Sequence, residues 1–224
     1  MQKSTFVFCL LLFNFTLIAQ SKKDQFFFKF GIKSLTIITD NPLVKDNFYL
    51  KPAIDFGFGI NYNLSKNFRF QPEIHYTPRG FKSKHNFSDS AYLQHSLELH
   101  YLDLCSNFSY TIAGYEGFQT RMILWGGPYL GLGLIGRNVI SGVLPRTIGT
   151  RTDSTFSNVN KRFGEGLNRI DYGFNIGLGL QYDKFTQFGF SYSQGFNNIT
   201  DQYSFATYNK SVGIYMIILF DRMF

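Results

Sequence analysis

The sequence predicts an all-β protein: an eight-stranded antiparallel transmembrane β-barrel with short periplasmic turns and long extracellular loops. Apolar and polar residues alternate with a period of two in one segment after another, which is the pattern of β-strands. The longest alternating run, residues 171–182, is a dozen residues long, and a tilted membrane strand needs about 9–11 residues. Aromatic residues make up 19% of the chain and charged residues only 17%, which suits a protein whose outer surface faces lipid.

The N-terminus has the layout of a secretory signal peptide. Lys3 is followed by an apolar run over residues 6–18 and then by the small residue Ala19. The run is about 13 residues long, and a membrane-spanning helix needs about 20. We therefore predict a cleaved signal peptide over residues 1–19 and an outer-membrane β-barrel domain over residues 20–224.

Cysteine usage agrees with this division. The chain has two cysteines, and Cys9 lies early in the apolar run without small residues before it, so a lipoprotein anchor is not expected. Removal of the signal peptide leaves Cys105 alone, and no internal disulfide can form. A closed, hydrogen-bonded barrel would supply the stability that disulfides give to other exported proteins.

The first three strands are predicted from apolar stripes opposed by glycine, asparagine and charged residues. In chain order the stripes are Phe26, Phe28, Phe30 and Ile32; Ile54, Phe56, Phe58, Ile60 and Tyr62; and Phe68, Phe70, Pro72, Ile74, Tyr76 and Pro78.

The fourth and fifth strands are less regular. Over residues 97–110 the phase is ambiguous, and over residues 121–137 both faces carry apolar side chains. We assign Asp103, Cys105, Asn107, Trp125, Tyr129, Gly131 and Gly133 to the inside, and Leu130, Leu132 and Leu134 to the outside. Pro72 and Pro128 are unusual in central strands and leave the register open there.

The last three strands are clear. Their stripes are Tyr172, Phe174, Ile176, Leu178, Leu180 and Tyr182; Phe188, Phe190 and Tyr192; and Val212, Ile214, Met216, Ile218 and Phe220.

The connections alternate in length. Residues 63–67, residues 115–119 and the predicted two-residue hairpin Asp183-Lys184 are short, whereas residues 39–50, 82–96, 138–168 and 195–209 are long. Short periplasmic turns and long external loops are typical of outer-membrane barrels. Because backbone groups in hydrocarbon need partners within the protein, such strands must close into a ring.

A soluble lipocalin-like barrel is the competing fold, with its apolar face inside. The non-apolar face here is rich in glycine and asparagine, whereas a water-exposed strand surface favours Lys and Glu. Small residues with a few paired charges suit the crowded interior of an eight-stranded barrel, so the composition favours the membrane barrel.

Five segments carry a resemblance to a known family. They are residues 64–73 with a turn and a Q-P-E strand, 101–104 with Y-L-D-L, 127–131 with G-P-Y-L-G, 171–179 with D-x-G-x-x-x-G-x-G, and 192–199 with Y-x-x-G-x-x-N-I. Together they resemble the PorT-like outer-membrane β-barrel family of Gram-negative bacteria. The resemblance implies an eight-stranded barrel and no catalytic motif, and the founding member belongs to a protein-secretion apparatus.

Ten charged or titratable residues are predicted to face the lumen. They are Lys29, Lys33, Asp55, Arg69, Glu73, His75, Arg79, Asp103, Arg121 and Asp171. Both signs are present, as a network of paired charges filling a narrow barrel requires, because buried charges must be paired or hydrogen-bonded. The alternative is a path for protons or solutes.

Catalytic and metal sites are not expected. The chain has four histidines, whose spacing matches no metal-ligand set and pairs with no serine as a base and nucleophile. We predict no enzyme activity, no cofactor and no metal.

The longest predicted loop carries Arg146, Arg151, Lys161 and Arg162. Two interpretations are open: these charges are simply solvated, or they contact lipopolysaccharide or a partner protein. The net charge of +7 points to anionic lipid head groups, since export makes nucleic acid an implausible partner. The predicted function is a structural or interaction role in the cell envelope, as an accessory to protein secretion. The alternatives are a narrow pore for small solutes and a secreted lipocalin-like binding barrel.

Overall fold

The computed structural model describes residues 24–39, 48–87, 91–114, 120–144, 154–160, 163, 166–183, 185–200 and 206–220. The predicted signal peptide, the turn at residues 115–119 and the four loop cations Arg146, Arg151, Lys161 and Arg162 lie outside these ranges. No helix in the described ranges is long and apolar enough to cross a membrane.

Ten strands form in the described residues. They are β1 (Gln25–Thr39), β2 (Phe48–Tyr49), β3 (Lys51–Asn63), β4 (Phe68–Asn86), β5 (Tyr92–Gly114), β6 (Arg121–Leu144), β7 (Ser154–Asn160), β8 (Ile170–Gln181), β9 (Thr186–Gly195) and β10 (Thr207–Phe220). Eight of them close an antiparallel ring in the order β1-β3-β4-β5-β6-β8-β9-β10, and β10 pairs back onto β1. Among the described strands, β2 pairs only with β4, and β7 only with β6. The predicted eight-stranded barrel is confirmed.

The apolar stripes face outward. Phe190 of β9 is 68% exposed and Ile214 of β10 is 53% exposed. By contrast, Asp171 of β8 and Asp55 of β3, which lie on the polar faces of those two strands, are buried. A soluble barrel would place its apolar face inside, so this arrangement contradicts the lipocalin-like alternative.

Each of the two flagged prolines coincides with a break in one ladder. The β3–β4 pairs stop at Gly59 with Glu73 and resume at Tyr62 with Phe70, on either side of Pro72. The β5–β6 pairs show the same kind of break beside Pro128. Proline has no N–H to donate, so both strands exist but lose local pairing.

Two predicted loops are wrong in part. Within residues 82–96, β4 continues to Asn86 and β5 begins at Tyr92, and within residues 138–168, β6 continues to Leu144 and β7 follows. β5 has 23 residues and β6 has 24, about twice the length that crosses a bilayer. We call β2, β7, residues 80–86 of β4, 92–100 of β5 and 136–144 of β6 the extracellular sheet.

The predicted two-residue hairpin at Asp183-Lys184 is also longer than expected. β8 ends at Gln181 and β9 begins at Thr186. Asp183 closes the turn, because its Oδ1 accepts hydrogen bonds from the N–H groups of Phe185 and Thr186 at 2.7 and 2.6 Å.

Candidate functional site

The barrel lumen contains three layers of side chains. At the periplasmic end lies an apolar layer of Phe27, Trp125, Tyr215, Ile217 and Leu219. Charged side chains fill the middle, which we call the polar layer. Toward the outside lies a second apolar layer of Ile37, Phe81, Leu97, Leu99, Tyr101, Leu167 and Ile199, with Phe163 packed against it. We call the two apolar layers the periplasmic layer and the outer layer.

The lower part of the polar layer is centred on Lys29. Its Nζ lies 3.2 Å from Glu73 Oε2 and 3.7 Å above the centre of the Trp125 ring. Asn107 Nδ2 donates to the other Glu73 oxygen at 2.7 Å. The buried carboxylate is therefore held by one cation and one amide, and the cation also gains a cation–π contact.

His75 connects this pair to a second one. Its Nε2 lies 2.6 Å from Glu73 Oε2 and its Nδ1 lies 3.8 Å from Asp55 Oδ2. Asp55 in turn contacts Lys33 Nζ at 2.9 Å. The imidazole thus lies between two carboxylates that come from adjacent strands.

The upper part of the polar layer is centred on Arg79. The guanidinium contacts Asp103 Oδ2 at 2.5 Å and Asp171 Oδ2 at 3.4 Å. It lies between the rings of Tyr101 and Tyr129, 4.6 and 4.5 Å from their centres. Strands β4, β5, β6 and β8 supply these groups, so Arg79 joins four walls of the barrel.

A cavity of about 20 Å³ remains between the two parts. Its lining includes Lys33, Asp55, Thr77, Asp103 and Ser191. Such a volume holds about one water molecule, so side chains fill nearly all of the space at this level of the lumen.

The structure places the ten predicted lumen residues as follows. Lys29, Asp55, Arg69, Glu73, His75, Arg79, Asp103 and Asp171 are buried, Lys33 is half-buried, and Arg121 is exposed. Arg121 shares the phase of the buried Ile123 and Trp125, but it is the first residue of β6, at the periplasmic rim, where solvent reaches it. All but Arg69 and Arg121 belong to the ion pairs described above.

Sequence reasoning placed Trp125, Tyr129 and Asn107 inside but missed other aromatic and amide groups around these charges. Tyr215 accepts hydrogen bonds from Trp125 Nε1 at 2.7 Å and from Gln187 Nε2 at 2.8 Å, and Asn209 Nδ2 donates to Asp171 at 2.8 Å. Tyr215 lies on the face of β10 opposite the predicted stripe, beside Ile217 and Leu219, and these apolar neighbours gave no sign that its hydroxyl has polar partners.

Glu98 and His95 are titratable groups of the extracellular sheet, outside the membrane-spanning segments. Lys51 Nζ donates to Glu98 Oε1 at 2.9 Å and to the Leu97 carbonyl at 3.2 Å, and the hydrogen bond lowers the pKa of Glu98. Burial lowers the pKa of His95, although its Nε2 lies 2.7 Å from Asn138 Oδ1.

The polar layer has no arrangement typical of a metal centre. Among the described side chains, no three His, Cys, Asp or Glu residues are grouped so that they could hold a metal ion. Cys105 is a free, buried thiol. What the layer does show is opposite charges from different strands, which can join the barrel walls together.

Comparisons with known proteins complete the description. The sequence matches the family described as outer membrane protein beta-barrel domain over residues 18–201. A comparison with curated proteins found no match. Similar solved structures include the attachment invasion locus protein Ail of Yersinia pestis, with 10% identity, 89% of this chain and 100% of that chain covered and a TM-score of 0.48. Neisserial surface protein A has 12% identity, 86% and 96% coverage and a TM-score of 0.44, and OprG of Pseudomonas aeruginosa has 13% identity, 91% and 98% coverage and a TM-score of 0.34.

Proposed function

Because the chain belongs to the outer membrane protein beta-barrel domain family, we propose that it serves the bacterial outer membrane as an interaction protein, with the barrel as its anchor. The protein is embedded in the lipids of that membrane, and the polar layer acts as internal bracing. The family consists of outer-membrane barrels, and catalysis is not part of this proposal.

The extracellular sheet is the observation that carries the proposal. β5 and β6 continue about ten residues beyond the length that crosses a bilayer, and β4 continues with them to Asn86. A paired sheet that projects from an anchored barrel presents a firm surface to other molecules. Binding function is concentrated in such external segments.

The closed lumen argues against the alternative of an axial pore. Apolar layers lie on both sides of the polar layer, and the cavity between them is about 20 Å³. A solute moving along the axis would have to displace buried aromatic side chains at two levels. In this proposal the charges therefore stabilise the barrel and do not conduct.

The partner we propose is a protein of the cell envelope. The resemblance of residues 64–73 and 127–131 to PorT-like proteins supports a secretion complex as its source. Lys82 and Arg137 are exposed in the extracellular sheet, where they would attract acidic groups of this protein partner. Their charge would also attract the anionic phosphates of lipopolysaccharide, the lipid partner we propose for the rim.

Crosslinking in intact outer membrane tests the proposal. A tagged copy is crosslinked, purified and compared with the double variant Lys82→Glu, Arg137→Glu. The matched control is Arg121→Glu, which reverses an exposed charge at the opposite, periplasmic end of β6. We expect one reproducible protein partner with the unmodified chain and with the control, and a reduced yield with the double variant.

Two outcomes would contradict the proposal. If no partner is captured from membranes in which the barrel is shown to be folded, the interaction role is wrong. If the control lowers the yield as much as the double variant does, the extracellular sheet is not the contact surface.

A further inference from the structure

The β3–β4 ladder is interrupted toward the outside of the barrel. The ladder ends at the pair Phe56 with Tyr76, and the next pair above it joins Tyr49 of β2 to Lys82. Residues 51–55 of β3 pair with β1, and residues 77–81 of β4 pair with β5. Both segments are thus ordered strands, yet no ladder pair joins them to each other. We call this interval the seam.

The sequence explains why pairing stops there. Pro52 and Pro78 lie on the two sides of the seam, and neither has an N–H to donate. Gly80 has a φ of 122°, and a Cβ at this position would lie 2.1 Å from the Leu97 carbonyl oxygen. The positive φ and the close approach to β5 both require glycine.

The lower part of the seam, beside Ile54 and Phe56, lies in the outer half of the membrane band and separates two kinds of surface. On its lipid side, Ile54 is 53% exposed and Phe56 is 42% exposed. On its lumen side, Thr77 and the Lys33–Asp55 ion pair line the central cavity. A passage that is apolar outside and polar inside matches an amphipathic molecule.

Because both ends of the lumen are closed, the seam is important for access to the central cavity. The periplasmic layer and the outer layer block axial access to the polar layer from both directions. In the described part of the barrel, the seam therefore offers the most direct route to the cavity.

A clasp crosses the top of the seam. Lys51 belongs to β3, yet its Nζ binds Glu98 and the Leu97 carbonyl of β5, one strand beyond β4. Gly80 is the β4 residue paired with Glu98, and it has no side chain to block this reach. The clasp holds β3 near β5 where the β3–β4 ladder is missing.

We propose that the seam is a lateral binding site for a zwitterionic amphiphile from the outer leaflet. Its head group lies in the seam between β3 and β4, outside the water-sized central cavity, and pairs with Lys33 and Asp55, which present one cation and one anion 2.9 Å apart. Its hydrocarbon chain stays in the bilayer against Ile54 and Phe56. Release of the Lys51–Glu98 clasp widens the entrance. This site borders the proposed partner surface, since Lys82 follows directly after the seam and Arg137 is paired with Glu98 of the clasp, but its ligand is a lipid and not a protein.

Thiol labelling in phosphatidylcholine vesicles tests the site. Cys105→Ala removes the native thiol, and either Thr77→Cys or Ser191→Cys is added. Both positions line the cavity, but Ser191 lies on β9, where it has ladder partners on both sides. The probe is dodecyl methanethiosulfonate, whose chain partitions into the bilayer.

We expect Thr77→Cys to react about tenfold faster than Ser191→Cys, because a tenfold difference needs only a small difference in the activation free energy of the labelling reaction. Dodecylphosphocholine below its solubilising concentration should slow the reaction at Thr77→Cys, and uncharged dodecyl maltoside should not. Adding Lys51→Met should raise the rate at Thr77→Cys about threefold, as expected for a partly exposed ion pair.

Equal rates at the two positions would overturn the proposal, whether both are slow or both are fast. Equal competition by the two detergents would overturn the zwitterion assignment. Hydrogen exchange on the unmodified protein avoids the substitutions: amides of residues 53–55 that point toward β4 should exchange faster than those of residues 57–59. Equal protection would mean that the seam is closed.

Discussion

Arg79 shows how much the lumen depends on single residues. It contacts two buried carboxylates, Asp103 and Asp171, and it is stacked between two tyrosine rings. Removing one charged member of such a buried network leaves the opposite charges buried and unpaired. The resulting loss of folding stability is larger than the net stability that the intact network contributes. Replacing all the charges together can be nearly neutral for the same reason.

We therefore predict that Arg79→Met lowers the free energy of unfolding by about 3–5 kcal/mol. The triple variant Arg79→Met, Asp103→Asn, Asp171→Asn should recover much of that loss, because no buried charge is left unpaired. Denaturant unfolding in vesicles can be followed by the fluorescence of Trp125, the one tryptophan of the chain. Arg121→Met, at the exposed rim, should change the free energy by less than about 0.5 kcal/mol, and a loss as large as that of Arg79→Met would contradict this account.

His95 gives the extracellular sheet a pH dependence. Because burial lowers its pKa in the folded state below the unfolded value of about 6.5, the folded chain keeps it neutral. As the pH falls below that value, the unfolded chain binds a proton that the folded chain does not, so stability decreases. Above it, His95 contributes no pH dependence.

Unfolding measured at about pH 7.5 and about pH 5.5 checks this sign. The unmodified protein should be less stable at the lower pH, and His95→Gln should show a smaller difference between the two conditions. If the variant and the unmodified protein show the same difference, other groups control the acid response.

At the scale of elements, the strands have two faces with opposite requirements. On β8, Ile176, Leu178 and Leu180 are exposed on the outer face, while Asp171 is buried within. The outer face must be apolar because lipid offers no hydrogen bonds. The inner face can carry charges because partners from other strands meet them there.

We predict that Leu178→Lys makes folding into vesicles less favourable by about 2–4 kcal/mol, the cost of a lysine near the bilayer midplane. Leu50→Lys is the matched control. Leu50 is 83% exposed and lies between β2 and β3 at the outer end of the barrel, so the change there should be close to zero. Equal effects at both positions would mean that the apolar band does not face lipid.

At the scale of the whole molecule, closure of the ring determines what the lumen can do. Eight strands enclose an interior just wide enough for side chains, and here two apolar layers and one polar layer fill it. The molecule is therefore an anchored, braced cylinder with an extracellular sheet on one end.

This architecture predicts no steady axial conductance. In planar bilayers, the unmodified barrel should give current at the level of the protein-free membrane, with insertion verified by protection of the Trp125 fluorescence from aqueous quenchers. A stable conductance step that scales with the number of inserted barrels would contradict the closed lumen and favour the narrow-pore alternative.

The sequence alone determined the strands that cross the membrane and the faces they present. Alternation over residues 171–182 needs only the period of two and the apolar character of lipid, both of which are local properties. It also separated inside from outside in β6, where Trp125 and Tyr129 are buried and Leu130 is exposed, as predicted.

Only the tertiary structure decided which charges meet. Arg79 finds Asp103 and Asp171 on β5 and β8, and Lys29 finds Glu73 on β4, because ring closure and register bring distant strands to the same height. The extracellular sheet escaped prediction because its strands face water or protein on both sides, which removes the alternation that lipid imposes. The seam could not be predicted from the sequence either. A proline shows that one N–H donor is missing, but only the fold shows which neighbouring strand that donor would have bound.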